Sequence, residues 1–226
     1  MLVTISGLFS ADEVREARTL LEAAEWQDGR ATAGHIAARV KANQQLPLDH
    51  PIAKRLGDRI LDKLSRTPLF IAAALPLRIL PPRFNRYEGG GTYGNHVDNA
   101  IFSIPGTALR LRTDVSTTLF FSDPDEYDGG ELIVEDSYGD QRVKLPAGDA
   151  IVYPGSSLHR GTPVTRGVRY ASFFWTQSLV RSDEKRRILF DLDCAIQQLT
   201  ADHPGHGSID DFTGTYHNLL RLWSET

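Results

Sequence analysis

The chain has 226 residues, 41% of them hydrophobic, which suits one large domain or one domain with helical additions. A formal net charge of −4 with no Lys/Arg run argues against a nucleic-acid partner, and the single Cys194 rules out a disulfide framework or a cysteine-based metal site. No apolar run is as long as a membrane span, and residues 1–7 lack the parts of a secretory signal, so a cytoplasmic protein is expected.

Residues 2–5 read as a short strand. Ser10 and Glu13 then form a capping box, followed by Val14, Ala17, Leu20, Leu21 and Ala24 at helical spacing, and Asp28-Gly29 ends the unit. Asp49 and Pro51 open a second helix, whose Ile52, Leu56, Ile60 and Leu64 form one stripe suited to packing on a sheet. Residues 76–87 are punctuated by proline and read as extended.

From about Leu80 to Gln177 the pattern is one of short strands between turn residues. Residues 116–121 are β-rich and end in Ser122-Asp123-Pro124-Asp125. Asp128-Gly129-Gly130 turns into a strand over 131–135, Tyr138-Gly139-Asp140 turns into 141–145, and residues 150–153 form another strand. Many short, evenly spaced strands predict a double-sheet jelly roll of the cupin type. After Gln177 the helical period returns, with Ser182 as cap and Ile188, Leu189, Leu192, Ala195, Ile196 and Leu199 in the pattern. His203-Pro204-Gly205-His206-Gly207 breaks that helix, and its two histidines are explained by the loop rather than by a metal. A last helix covers residues 211–224, and the C-terminal pair is a candidate homodimer surface. The expected fold is α+β. Residues 1–79 supply a strand and helices that buttress the core, 80–177 the jelly roll, and 178–226 a helical extension.

The stretch that carries chemistry is Asn95-His96-Val97-Asp98-Asn99. On an extended strand, residues two apart share a face, so His96 and Asp98 would offer an imidazole nitrogen and a carboxylate oxygen to one space. His159 follows the turn Tyr153-Pro154-Gly155-Ser156-Ser157-Leu158 and supplies a second imidazole. Two histidines and one carboxylate on one side of a metal form the facial triad of non-haem Fe(II) oxygenases. Ten residues beyond His159, Arg169 opens the apolar strand Val168-Arg169-Tyr170-Ala171-Ser172-Phe173-Phe174-Trp175, where a guanidinium is costly without a carboxylate partner.

Together with Phe84-Asn85-Arg86-Tyr87-Glu88-Gly89-Gly90, Asp128-Gly129-Gly130-Glu131-Leu132 and Lys144-Leu145-Pro146-Ala147-Gly148-Asp149, this pattern resembles the Fe(II)/2-oxoglutarate-dependent dioxygenases. The resemblance is to the prolyl-4-hydroxylase-like branch, and within it to the PKHD-type hydroxylases. It spans about half of the chain, with the blocks in order.

The resemblance implies that His96, Asp98 and His159 hold Fe(II), with positions left for 2-oxoglutarate and O2. The cosubstrate would be converted to succinate and CO2 while the substrate is hydroxylated, and L-ascorbate would keep the iron reduced. Arg169 would bind the distal carboxylate of 2-oxoglutarate through its planar fork, the alternative being a structural ion pair. Tyr87, nine residues before His96, would help to hold the cosubstrate, or else would pack in the sheet. Related enzymes often carry Arg-x-Ser where this chain has Arg169-Tyr170-Ala171, so no hydroxyl is available there. Related halogenases carry a small residue at the position of Asp98, so the carboxylate favours hydroxylation.

Arg160 should point away from the metal, and Arg110, Arg112 and Asp114 border the entrance or form a solvated face. Gly89-Gly90-Gly91-Thr92 lacks the Lys of a phosphate loop and reads as a flap. The substrate is left open among peptidyl proline, amino acids and small metabolites. Two rivals are a non-catalytic iron or 2-oxoglutarate sensor and a cupin-like metalloenzyme that does not need Arg169.

Overall fold

A computed structural model of the chain describes residues 1–32, 39–104, 107–136 and 139–225. Strand β1 (Val3–Ile5) leads to helix α1 (Ala11–Glu22) and the short strands β2 (Gln27–Asp28), β3 (Lys41–Ala42) and β4 (Gln44–Gln45). Helices α2 (Pro51–Leu64) and α3 (Pro68–Ala74) precede β5 (Pro76–Ile79), β6 (Arg83–Tyr87), β7 (Thr92–His96), β8 (Ile101–Ser103) and β9 (Arg110–Arg112). Next come β10 (Val115–Phe120), β11 (Asp128–Gly129), β12 (Leu132–Asp136), β13 (Gly139–Val143) and β14 (Ala150–Pro154). Strands β15 (His159–Gly161), β16 (Val164–Arg166) and β17 (Arg169–Ser178) and helices α4 (Asp183–Asp202) and α5 (Ser208–Trp223) follow.

Most of the strands build two facing antiparallel sheets, a double-stranded β-helix, while β8-β9 and β11-β16 form two-stranded ribbons. The larger runs β1-β14-β10-β17-β6-β4-β2, with β5 also on β17, and the smaller runs β13-β12-β15-β7-β3. Period-two alternation sorts the side chains of the large sheet. Phe84, Val115, Leu119, Val152, Tyr170 and Phe174 face outward and form one core with Val14, Leu21, Leu56, Ile60 and Phe70 of the first three helices. Phe120, Ile151 and Tyr153 face the other way and meet Leu132, Val134 and Val143 of the small sheet. N-terminal residues thus both buttress the jelly roll and extend it, because β1 pairs with β14, and β4 with β6.

The helix starts follow local hydrogen bonding. The Ser10 side chain accepts from the Glu13 amide at 3.4 Å, and Glu13 Oε2 accepts from the Ser10 amide at 2.8 Å. A cap of this kind contributes roughly 1 kcal/mol. For α2 the cap is His50, whose Nδ1 accepts from the Ile52 amide at 3.2 Å, rather than Asp49. Leu56, Ile60 and Leu64 of its expected stripe are fully buried. Helix α3 has no counterpart in the sequence reading. Its apolar Pro68–Ala74 run lacks a polar face and so shows no helical period, and it ends at Leu75, at φ 43°.

Of the turn expected at Tyr138-Gly139-Asp140, Gly139 pairs with Asp136 and Asp140 with Glu135, while Tyr138 lies outside the described residues. Ser182 caps α4 as expected, accepting from the Lys185 amide at 3.2 Å. The apolar stripe of α4 is partly covered, with Leu189 buried, Leu192, Ile196 and Leu199 half-buried and Ile188 51% exposed. The small cluster that docks α4 and α5 contains Leu75, Val180 and Leu189, with Tyr216, Leu219 and Trp223 against them.

Candidate active site

The two sheets diverge around a cavity that opens to solvent. Residues far apart in the chain meet there through register. His159 of β15 lies directly opposite His96 of β7, and Arg169 of β17 lies opposite Tyr87 of β6. Paired residues project to the same side, so each pair enters the cavity together.

His96, Asp98 and His159 each offer one ligand atom, and these atoms lie within 4.8 Å of one another. The geometry of Asp98 differs from the strand expectation. Strand β7 ends at His96, and Asp98 stands in the irregular stretch that follows. Its Oδ2 accepts from the Ser116 hydroxyl at 2.6 Å, which leaves Oδ1 facing His96 Nε2 at 4.0 Å and His159 Nε2 at 3.9 Å. A hydroxyl on the opposite sheet thus aims the carboxylate.

Both imidazoles are oriented locally. His96 Nδ1–H donates to the Gly94 carbonyl at 2.7 Å, and His159 Nδ1–H to the Ser157 carbonyl at 3.0 Å. A carbonyl only accepts, so each proton sits on Nδ1 and each Nε2 lone pair is free. Burial, then the neighbouring His159, pushes the pKa of His96 down to about 4, so its ring is neutral at neutral pH. Tyr93 stacks on His96 with ring centroids 3.6 Å apart, and Tyr153 meets His159 edge-on at 5.3 Å. This donor set fits a divalent ion of borderline hardness.

Arg169 is 5% exposed and has no ion pair among the described residues; its buried Nε has no hydrogen-bond partner. The guanidinium lies 5.2 Å from the Tyr87 ring centre and 5.1 Å from that of Phe120. The structural ion pair considered for Arg169 is therefore not seen. Tyr87 is buried, and its hydroxyl accepts from Asn85 Nδ2 at 3.0 Å. Asn85 Oδ1 has no partner. The unsatisfied Nε donor of this buried, positively charged guanidinium fits a carboxylate ligand.

The remaining sequence candidates fall elsewhere. Arg160 reaches Glu135 at 2.9 Å and Asp140 at 2.6 Å, away from the cavity. Arg112 bonds Asp114 at 2.6 Å and Glu225 at 3.0 Å, so these residues tie the C-terminal region to the core. Gly129 packs against the Pro163 carbonyl, where a Cβ would come within 2.0 Å, in keeping with a purely structural turn. Sequence reasoning missed Ser116, Tyr93, Tyr153 and Asn85. Asn85 lies two residues before Tyr87 in the same strand, and that shared parity was a usable signal, whereas Tyr93, three residues before His96, has the opposite parity and gave none.

The fold and this donor set define a class, the 2-oxoglutarate/Fe(II) oxygenases. Residues 82–177 match the 2OG-Fe(II) oxygenase superfamily, and residues 183–225 match the PKHD-type hydroxylase C-terminal domain. A PKHD-type hydroxylase of Delftia acidovorans is 69% identical over the full length of both chains. PKHD-type hydroxylase PiuC of Pseudomonas aeruginosa is 58% identical, also over the full length of both. The chain belongs to the PKHD-type hydroxylases. Among solved structures it shares its fold with a Pseudomonas putida prolyl-4-hydroxylase, at TM-score 0.52 and 21% identity over 78% of this chain and 92% of that one. A Trichoplax adhaerens prolyl hydroxylase in complex with a peptide fragment gives TM-score 0.56 at 15% identity over 83% and 86%. The protein is thus an Fe(II)- and 2-oxoglutarate-dependent dioxygenase that hydroxylates a substrate with O2.

Proposed function

We propose that His96, Asp98 and His159 hold the iron, and that Arg169, with Tyr87 beside it, anchors the distal carboxylate of 2-oxoglutarate. The observation that carries this is the pairing of three convergent donors with a buried arginine that has no carboxylate partner among the described residues. When bound, iron and cosubstrate supply the oxidising chemistry, with succinate and CO2 as co-products.

The chain's own residues prepare the site. The Gly94 and Ser157 carbonyls hold each imidazole with Nε2 inward, and Ser116 occupies one oxygen of Asp98 so that the other remains available. Such outer contacts typically contribute tenfold or more to metal affinity. Arg169 is held in place by burial between Tyr87 and Phe120, so little rotamer entropy is lost when a carboxylate arrives. The aromatic walls exclude water, which strengthens the charge–charge contact.

The test is anaerobic absorption of the Fe(II) protein titrated with 2-oxoglutarate, in wild type and in Arg169→Ala. A visible charge-transfer band that needs far more ligand in the variant is the expected result. An iron-loaded wild type without a band would remove this assignment.

The substrate is a small molecule or a peptide, in line with the molecules that fold relatives bind. One is in complex with a hypoxia-inducible-factor peptide, and HygX of Streptomyces hygroscopicus has hygromycin B bound. L-ascorbate serves as reductant, which loss of sustained turnover in its absence would support. The organisation expected is 1–79, 80–177 and 178–226, with the middle segment carrying every proposed ligand. No helix among the described residues is long and apolar enough to cross a membrane, and the exposed thiol of Cys194 suits the cytoplasmic location proposed for the chain. Phe212 and Leu222, exposed on α5, would contribute to a homodimer, and a monomeric mass in light scattering would exclude one.

A further inference from the structure

The cavity is lined by three cations, Lys41, Arg83 and Arg169, but by one carboxylate, Asp98. Arg169 is assigned to the cosubstrate and Asp98 to the metal, so Arg83 is left without a role. It lies on β6 with Asn85 and Tyr87 at alternate positions, and it pairs across the sheet with Phe173, whereas Tyr87 pairs with Arg169. Four residues of strand separate the two arginines, about 13 Å of backbone.

Arg83 is half-buried, and among the described residues its side chain has neither a hydrogen bond nor an ion pair. Its contacts are two ring faces, with the guanidinium carbon 5.4 Å from the centres of both Phe102 and Trp175. Those rings stack on each other at 4.5 Å, and Phe173 adds an edge to Trp175 at 5.4 Å. Cation–π contacts stabilise the charge but use none of the N–H donors in the guanidinium plane. A positive, donor-rich group therefore faces the cavity beside a flat apolar wall. Trp175 also pairs with Ser116, the residue that orients Asp98, so this wall stands next to the metal donors.

We infer that the molecule to be hydroxylated carries a carboxylate, which Arg83 binds, and a flat apolar body that lies on the Phe102–Trp175 wall. This rests on the proposed assignment of Arg169 to the cosubstrate. The carboxylate is held by the planar fork, and the body is positioned by ring packing with the reacting carbon directed toward the metal donors. Lys41, the third cation of the cavity, is engaged elsewhere, with Gln45 Oε1 at 3.4 Å and over the Tyr93 ring at 5.3 Å.

The test is calorimetric titration of the Zn(II)- and 2-oxoglutarate-saturated protein with 3-phenylpropionate and with 3-phenylpropanamide. The pair shares one shape and differs in charge. The carboxylate should bind at least about tenfold more tightly than the amide. In Arg83→Gln the two should agree to within about twofold, and Arg83→Lys should keep part of the preference, with 2-oxoglutarate affinity within about twofold of wild type in both. A preference that survives in Arg83→Gln would overturn the inference, as would no saturable binding of the carboxylate to wild type. A parallel loss of 2-oxoglutarate affinity would also overturn it, by assigning Arg83 to the cosubstrate. Should Arg83→Gln fail to fold, Arg83→Lys decides, because an undiminished preference with unchanged affinity would also count against bidentate recognition. The two assignments fail separately. That of Arg169 is lost if Arg169→Ala leaves 2-oxoglutarate binding untouched, whereas Arg83 is judged on the carboxylate-to-amide ratio at saturating cosubstrate.

Discussion

The eight-stranded sheet is buried on both faces, whereas the five-stranded sheet is buried on one. Every residue of β10 is buried, with three helices covering the outer face, but four of the five residues of β13 are exposed. The outer side of the small sheet carries ion pairs instead, such as Arg160 with Glu135 and Asp140 and Arg142 with Glu131. The two sheets also contribute differently to the cavity. The small one brings His96 and His159, each oriented by a carbonyl two residues earlier in its own chain. The large one brings Arg169 and Tyr87, held by burial among rings. A thin, solvent-backed sheet can present metal donors because short local hydrogen bonds set their direction. A guanidinium without a carboxylate partner is held instead by ring faces, which offset part of its desolvation.

This contrast can be broken in several places. His159→Ala should abolish turnover by about 10³-fold or more, with little change in the unfolding midpoint of the metal-free protein. Succinate release alongside a thermal melt checks this, and a large fall in the midpoint would show that the small sheet depends on its histidine. In the large sheet the order is reversed. Phe174→Ala, at a fully buried position, should cost about 3–5 kcal/mol in denaturant unfolding. Arg169→Ala should raise the 2-oxoglutarate needed for half-saturation by roughly 10²-fold and leave apo stability unchanged or higher, since it removes an unpaired buried charge. A marked loss of apo stability would point to a structural role.

Smaller effects sharpen the picture. Ser116→Ala links the two sheets and should weaken metal binding by about 10- to 100-fold without unfolding the protein, as read by competition with a chelator. The least effect is expected at the α1 cap. Its hydrogen bond with Lys63, then the Ser10 amide, holds Glu13 down at about 2 instead of 4.5. A depressed folded-state value means that Glu13 stabilises the fold above pH 4.5 and that the contribution fades as pH falls toward 2. The site is partly exposed, so Glu13→Gln should cost below about 1 kcal/mol at pH 7 and nothing near pH 2. A cost independent of pH would mean that packing rather than charge is responsible.

Much of this was legible in the residues themselves. The capping box at Ser10, the stripe on α2, the alternating strands and the spacing of His96, Asp98, His159 and Arg169 are carried by local chemistry and period. Helix α3 was not, because a helix apolar all round shows no period, and the cap of α2 passed to His50 because side-chain reach decides between adjacent candidates. The partners of the site were equally hidden. Nothing near Asp98 in the chain announces Ser116, and nothing near Phe102 announces that its ring stacks on Trp175 with Arg83 over both. Sequence determined which residues could bear chemistry, since that depends on side-chain type and short-range spacing. Tertiary structure alone decided which of them meet, which charges are left unpaired and where the cavity lies, because strand register and sheet packing join positions that no local pattern connects.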